Sequence, residues 1–207
     1  MRRIGIQGGT FDPIHFGHLR PALEVLEACA LDEVRFIPCA QPVHRDMPQT
    51  DAQARLAMVA HAIASVPAFR LDDREIRRSG PSYMVDTLTS LKAEQPKAGF
   101  YLILGQDAFL KFETWYQWQK VLDLASLVVT QRPGYVVEVP EALRPYLYTG
   151  VLAQMPAQGA VGLLPVTQLA ISSTQIRAEI DAGRSIAYLL PEAVIAYIKE
   201  HGLYQKR

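Results

Sequence analysis

The sequence predicts an α/β fold: a parallel sheet with helices on both faces. Three observations lead there, namely short apolar runs rich in β-branched and aromatic residues, longer amphipathic runs, and the alternation of the two along the chain. "IGIQ" (4–7), "VRFIP" (34–38), "FYLILG" (100–105) and "SLVVTQ" (126–131) have the length and composition of buried parallel strands. Between them, "HLRPALEVLEAC" (18–29), "DAQARLAMVAHAIASV" (51–66) and "SYMVDTLTSLKAE" (82–94) repeat apolar residues at helical intervals, with Asp51 and Ser82 placed as N-caps. Strand, helix, strand in succession implies right-handed crossovers. Pro21 is expected in the first turn of its helix, or to kink it. "SSTQIRAEIDAG" and "LPEAVIAYIKEHGLY" predict two further helices, each closed by a glycine, Gly183 and Gly202. The stretch from about 133 to 160, rich in Pro and Gly, reads as surface loops.

With 207 residues, 49% of them hydrophobic, the chain is expected to form one domain over 1–207, the C-terminal helices from about 172 packing on it. Lys plus Arg equals Asp plus Glu at 21 each, so no broad positive field exists for polymeric nucleic acid, and a small ligand is expected. Met1-Arg2-Arg3 resembles the start of a signal peptide, but the apolar run behind it stops at Gly8, and no stretch is long enough to span a bilayer. A cytoplasmic protein is expected. Cys29 and Cys39 form neither a CxxC pair nor a disulfide framework and read as buried thiols.

Ligands of parallel α/β sheets gather where strands end and helices begin, which is where "GGTFDPIHFGHL" (8–19) falls. Gly8 and Gly9 leave room for a sharp turn and for an anion to approach backbone N–H groups. Asp12-Pro13 is a turn pair leading into the helix. If that helix begins near Ile14 or His15, then His15 and His18 project from one side of its first, electropositive turn, where two imidazoles can hold a phosphate. Gly17 between them costs up to about 1 kcal/mol against Ala, which makes sense if a ligand presses on the backbone there. A tight β–α turn with partly exposed histidines is the plainer alternative. A metal pair lacks a third ligand nearby, and the spacing matches neither the dinucleotide fingerprint nor a P-loop.

"GGTFDPIHFGHL" is similar to the first signature of the nucleotidyltransferase superfamily, whose His-x-Gly-His motif binds the triphosphate of ATP or CTP, and "ISSTQIR" (171–177) is similar to the second. Within that superfamily the chain resembles the bacterial nicotinate-nucleotide adenylyltransferases over essentially its whole length, through these segments and "PVHR" (42–45), "PSYMVDTL" (81–88), "LGQDAF" (104–109), "TWYQWQ" (114–119), "VTQRPGY" (129–135) and "LPEAVIAYIKEHGLY". The resemblance implies a Rossmann-like sheet of the HxGH nucleotidyltransferase fold. It also implies adenylyl transfer from ATP to nicotinate mononucleotide, giving nicotinate adenine dinucleotide and pyrophosphate in NAD biosynthesis by direct in-line attack, without a covalent intermediate. Mg²⁺ would come with ATP, held by phosphate oxygens and water rather than by a protein site. The partners would be these two small molecules, not nucleic acid or membrane, on a monomer or small homo-oligomer.

By the same resemblance His15, His18 and Arg177 are the catalytic candidates. Gly8, Gly9, Thr10, Phe11, Gly17, Gly105, Asp107, Ser173, Thr174 and Arg177 are the ATP-binding ones. Ser172, Ser173 and Thr174 are also hydroxyl donors at a helix start with Arg177 one turn in, a set that suits a polyphosphate; by itself the segment reads better as an ordinary cap and a solvated arginine, and the first motif reverses that preference. Nicotinate mononucleotide is assigned to His44, Arg45, Thr87, Trp115, Tyr116 and Arg132. Thr87 would lie near the nicotinate carboxylate, where the family uses backbone N–H groups, and Trp115 would stack on the pyridine ring with Tyr116 beside it. Trp118 reads as core packing. Asp107 follows a strand end and could meet the ribose, cap a helix, or both; Arg132 could be a second cation or a turn arginine. The family usually has Pro-Pro-His-Lys where this chain has Pro42-Val43-His44-Arg45, and an Arg fork replaces a compact ammonium there.

Two rivals stand beside this reading. Pantetheine-phosphate adenylyltransferases share the ATP half, but their first motif starts Thr-Gly-Ser and "TWYQW" has no job for a pantetheine arm. A non-catalytic sensor of ATP or NAD would not need His15, His18 and Arg177 aimed at leaving phosphates.

Overall fold

The computed structural model describes all residues except 43–46, 132, 133, 135–137, 206 and 207. Four strands form where the apolar runs predict them: β1 (Arg3–Gly9), β2 (Glu33–Pro38), β4 (Gly99–Gly105) and β5 (Ser126–Gln131). Three short strands have no readable periodicity of their own and join through the sheet: β3 (Phe69–Leu71), β6 (Leu147–Tyr148) and β7 (Val161–Pro165). The seven lie in the order β3-β2-β1-β4-β5-β7-β6, all parallel.

Alternation along the strands loads both faces with apolar side chains. Phe100, Leu102 and Leu104 of β4 point to one side with Ile4 and Ile6, while Tyr101 and Ile103 point to the other. The second face is covered by α1 (Phe16–Ala28), α2 (Ala52–Ile63), α7 (Ser173–Asp181) and α8 (Glu192–Glu200), which contribute Val25, Met58, Ile176 and Val194 to the core. The first is covered by α4 (Met84–Glu94) and α6 (Trp118–Leu124) through Leu88, Leu91 and Val121. Two single-turn helices, α3 (Arg74–Arg77) and α5 (Gln106–Phe109), are too short for a pattern to reveal. Among the described residues no helix is long and apolar enough to cross a membrane.

Several local expectations hold and several do not. Asp51 caps α2, its carboxylate accepting from the Ala54 N–H at 2.9 Å, and Gly183 and Gly202 take the left-handed backbone that ends a helix. Cys29 and Cys39 are buried free thiols, and burial pushes Cys29 up to about 11. Ser82 is not a cap: Tyr83 holds that position, and the Ser82 hydroxyl accepts instead from the Ala40 and Gln41 N–H groups at 3.0 and 3.3 Å. The backbone leaving β2 needs an acceptor, and that long-range demand outcompetes the local one. Pro21 lies in the second turn of α1, not the first, where it has no N–H for the Gly17 carbonyl. The described part of 133–160 is more ordered than a run of surface loops. It holds two 3-10 turns (Glu141–Tyr146 and Leu152–Gln154) and β6, it buries Leu143 and Met155, and the Met155 carbonyl accepts from the Tyr101 hydroxyl at 3.1 Å.

The chain runs from β1 to β2 and β3 on one side, then crosses back to β4 on the other. Between the carboxyl ends of β1 and β4 this reversal opens the crevice in which such sheets bind ligands.

Candidate active site

The turn after β1 is shaped by side-chain packing. Phe11 adopts a left-handed backbone (φ 50°) and folds its ring back beneath Gly9, where any Cβ would stand 2.9 Å from it. At Gly8 the nearest obstacle to a Cβ is the flexible end of Met84. The expected helix start shifts by one or two residues: α1 begins at Phe16, and His15 is its N-cap in extended backbone. The two imidazoles therefore do not project side by side from a helical turn. They stack, with ring centroids 3.8 Å apart, and the Phe11 ring meets His18 edge-on at 5.2 Å.

The two histidines differ electrostatically. His15 is 5% exposed, and burial pulls its pKa down to about 4, so its ring is neutral at pH 7. Its Nδ1 is buried with no hydrogen-bond partner among the described residues. His18 is half-buried, and its Nδ1 faces the His15 N–H at 3.4 Å. A ring that accepts at Nδ1 carries its proton on Nε2 when neutral, which makes Nε2 a donor.

Gly17 has a reason in the protein itself. A Cβ there would sit 2.9 Å from His15 Nδ1 and 3.1 Å from the Ile171 carbonyl oxygen, so glycine lets the His15 ring and the irregular segment leading to α7 approach α1. Gly17→Ala is expected to lower Tm by several degrees despite the ~1 kcal/mol that alanine gains as a helix former, because overpacking costs about 1–3 kcal/mol and the His15 ring must move. A thermal melt checks this, and a raised Tm would show that the ring relocates freely.

The second motif closes on the first. Ser172 caps α7, its hydroxyl accepting from the Gln175 N–H at 3.1 Å. The Ser173 hydroxyl donates to the Pro13 carbonyl at 2.9 Å, and Arg177 Nη1 donates to the Asp12 carbonyl at 2.7 Å. Arg177 Nη2 reaches the Thr174 hydroxyl at 3.4 Å, and Arg177 Nε is buried with no hydrogen-bond partner among the described residues. His15, His18, Ser173, Thr174 and Arg177 thus gather at one edge of the crevice, beside two helix N-termini, which are electropositive.

Across the crevice, Gly105 is the exposed N-cap of α5 and Asp107 stands exposed in its first turn, so Asp107 is not the cap. Thr87 is fully buried in α4. Its hydroxyl donates to Glu75 at 2.6 Å, and its N–H is in helical hydrogen bonding to the Tyr83 carbonyl at 3.3 Å. Trp115 is half-buried against Phe112 at 5.4 Å, and Trp118 packs on the same ring at 6.1 Å. Tyr116 is half exposed with its ring 4.7 Å from that of Tyr83, which joins the "YMVDTL" and "TWYQW" segments. His44, Arg45 and Arg132 lie outside the described residues.

Two residues were not singled out from the sequence as part of the site. Arg55 on α2 is 1% exposed; its Nη1 donates to the Thr10 carbonyl at 2.7 Å and its Nε to the Thr50 carbonyl at 3.2 Å, bracing the turn from behind. An arginine on the buried side of an otherwise apolar helix, near Ala54, Met58 and Val59, is the signal that could have found it. Asp12, read as a turn former, has a buried carboxylate that binds far-off groups.

The cytidylyltransferase-like family model matches residues 6–179. A protein of Hydrogenovibrio crunogenus named "Probable nicotinate-nucleotide adenylyltransferase" is 53% identical over 99% of this chain and 98% of its own. A protein of the same name from Methylococcus capsulatus is 49% identical over 98% and 100%. The fold is similar to that of the Plasmodium falciparum nicotinic acid mononucleotide adenylyltransferase complexed with NaAD, with TM-score 0.76 at 20% identity over 99% of this chain and 98% of that one. With both motifs joined at the switch point of a parallel sheet, and with relatives this similar over their full lengths, the chain belongs to the cytidylyltransferase-like family, among its nicotinate-nucleotide adenylyltransferases.

Proposed function

We propose that the enzyme transfers the adenylyl group of ATP to nicotinate mononucleotide, forming nicotinate adenine dinucleotide and pyrophosphate for NAD synthesis. The observation that carries the reading is the stitching of α7 to the β1–α1 turn, Ser173 to Pro13 and Arg177 to Asp12, which puts two imidazoles and a guanidinium on one electropositive edge. A phosphate oxygen of the mononucleotide attacks the α-phosphorus in line, the bond to the bridging oxygen breaks, and its electron pair leaves with pyrophosphate. Both reactants are charged phosphates that chiefly need alignment and screening, so no covalent intermediate is required.

In this reading His18 donates from Nε2 to the α- or bridging oxygen as charge builds there, and neutral His15 helps hold the ATP phosphates. Gly8, Gly9, Thr10, Phe11 and Gly17 form the floor beneath those phosphates. Arg177, Ser173 and Thr174 take the departing pyrophosphate, and Gly105 and Asp107 face the nucleotide ribose. Trp115 and Tyr116 receive the pyridine ring, N–H groups near Thr87 its carboxylate, and His44, Arg45 and Arg132 add positive charge on the acceptor side.

Mg²⁺ brought in with ATP would supply charge neutralisation at the phosphates. It would be held by phosphate oxygens and water; among the described residues no group of three or more His, Cys, Asp and Glu is placed to hold a metal, and each Asp12 oxygen accepts a hydrogen bond within the protein. We place the reaction in the cytoplasm, on a single catalytic domain, with small molecules as its partners.

The test is the choice of acceptor at saturating ATP, read by pyrophosphate release. A carboxylate accepts hydrogen bonds at both oxygens, whereas the amide of nicotinamide mononucleotide turns an NH₂ toward one donor and leaves it unpaired. An unsatisfied buried donor costs about 1–3 kcal/mol, so kcat/KM is expected to favour the acid by roughly ten- to several-hundred-fold. Equal values for the two mononucleotides would remove the paired donors from the argument. Release with 4′-phosphopantetheine alone would move the enzyme to the other branch.

A further inference from the structure

We propose that Tyr204, in the turn after α8, is a positioning residue for the transfer: its hydroxyl braces the Asp12 carboxylate so that the Arg177 guanidinium is not drawn onto that carboxylate and can bind polyphosphate. The proposal rests on the functional reading above. Asp12 has a side chain only 5% exposed, and each of its oxygens has its own partner. Oδ1 accepts from the Tyr204 hydroxyl at 2.7 Å, across 192 positions of sequence, and Oδ2 accepts from the Gln49 N–H at 2.8 Å. Arg177 Nη1 stands 3.9 Å from Oδ2, too far for a good hydrogen bond, while it donates to the Asp12 carbonyl at 2.7 Å. The guanidinium is thus hydrogen-bonded to the backbone of residue 12 and makes only a long ion pair with its carboxylate.

That separation matters because a buried carboxylate beside a phosphate-binding arginine is its natural competitor. With Oδ1 held by Tyr204 and Oδ2 by Gln49, the carboxylate is oriented by these two donors and meets Arg177 only in the long pair. Remove the tyrosine hydroxyl, and Oδ1 becomes a buried, unpaired acceptor that gains by turning toward that guanidinium. The fold works to keep the hydroxyl there. Tyr204 is held in left-handed backbone (φ 66°), a conformation that costs a residue with a side chain on the order of 1 kcal/mol. Its hydroxyl lies 3.9 Å from Met58 Sδ within the core between α2 and α8, and burial lifts its pKa well above the tyrosine range, so it remains a donor.

Tyr204→Phe preserves the ring and deletes only the brace. It is expected to lower kcat/KM for ATP roughly ten-fold, the size of one lost hydrogen bond to a buried charge, and to weaken ATP binding in calorimetry while KM for nicotinate mononucleotide stays unchanged. The deciding measurement is a double-mutant cycle with Arg177→Ala. If Tyr204 acts through Arg177, adding Tyr204→Phe to that variant costs nothing more. Full ATP affinity in Tyr204→Phe, a loss that multiplies with that of Arg177→Ala, or an equal rise in KM for both substrates overturns the proposal. Should Tyr204→Phe fail to fold, Asp12→Asn in the same cycle takes its place: the neutral side chain no longer competes for Arg177, so ATP affinity at or above wild type supports the competition, and an Arg177-independent loss refutes it. A wild-type enzyme that binds ATP but forms no dinucleotide with nicotinate mononucleotide defeats the functional reading, and the calorimetric arm then still decides the brace.

Discussion

His18→Ala is expected to lower kcat by at least about a hundredfold while ATP binding weakens much less. The reason lies in how differently the structure treats two imidazoles that sequence spacing makes look alike. His15 is buried, neutral and used as the cap of α1, so its role is bound up with the shape of the turn. His18 is half-buried and one turn further in, and its Nδ1 faces the His15 N–H, which leaves Nε2 of the neutral ring as a hydrogen-bond donor. A donor aimed at an oxygen that gains charge only as the bond to the leaving group breaks stabilises the transition state more than the bound substrate, and its loss falls on kcat. Steady-state kinetics with calorimetric titration of ATP separate the two. Loss of ATP affinity matched by kcat/KM, with kcat intact, would make His18 a ground-state contact.

Arg177→Lys keeps the charge yet is expected to reduce kcat/KM for ATP by roughly 10- to 100-fold, with little change in KM for nicotinate mononucleotide. In the structure one guanidinium serves several partners at once, Nη1 on the Asp12 carbonyl and Nη2 on the Thr174 hydroxyl, with Nε buried and without a hydrogen-bond partner among the described residues. An ammonium on a flexible stem offers a single point of charge and cannot hold the turn and the polyphosphate together. Kinetics against each substrate in turn, backed by ATP titration, check this. Full activity with unchanged ATP binding would reduce Arg177 to a tie between α7 and the β1–α1 turn.

Legibility was uneven, and the reasons are physical. β1, β2, β4 and β5 could be placed because a strand buried on both faces must be apolar along its length, a property written into consecutive residues. β3, β6 and β7 are two to five residues long and owe their conformation to the strands beside them, so their sequences carry little of the pattern. The same division runs through the site. The pairing of "GGTFDPIHFGHL" with "ISSTQIR" was visible through their resemblance to the two signatures of one superfamily, and Tyr83 against Tyr116 joins two segments already singled out.

By itself, the sequence determined the fold class, the two motifs and their order, because those depend on composition and short-range spacing. Only the tertiary structure decided what the individual groups do. It made His15 a buried cap instead of a side chain on a helical turn, turned the Ser82 hydroxyl toward the backbone leaving β2, and placed the buried Arg55 behind Thr10. It also gave Gly17 its reason, the approach of the His15 ring and of Ile171. Each of these is a choice among hydrogen-bond partners or close contacts brought together by folding. A buried polar group must find whichever partner lies within about 3 Å, and nothing in its neighbours along the chain says which one that will be.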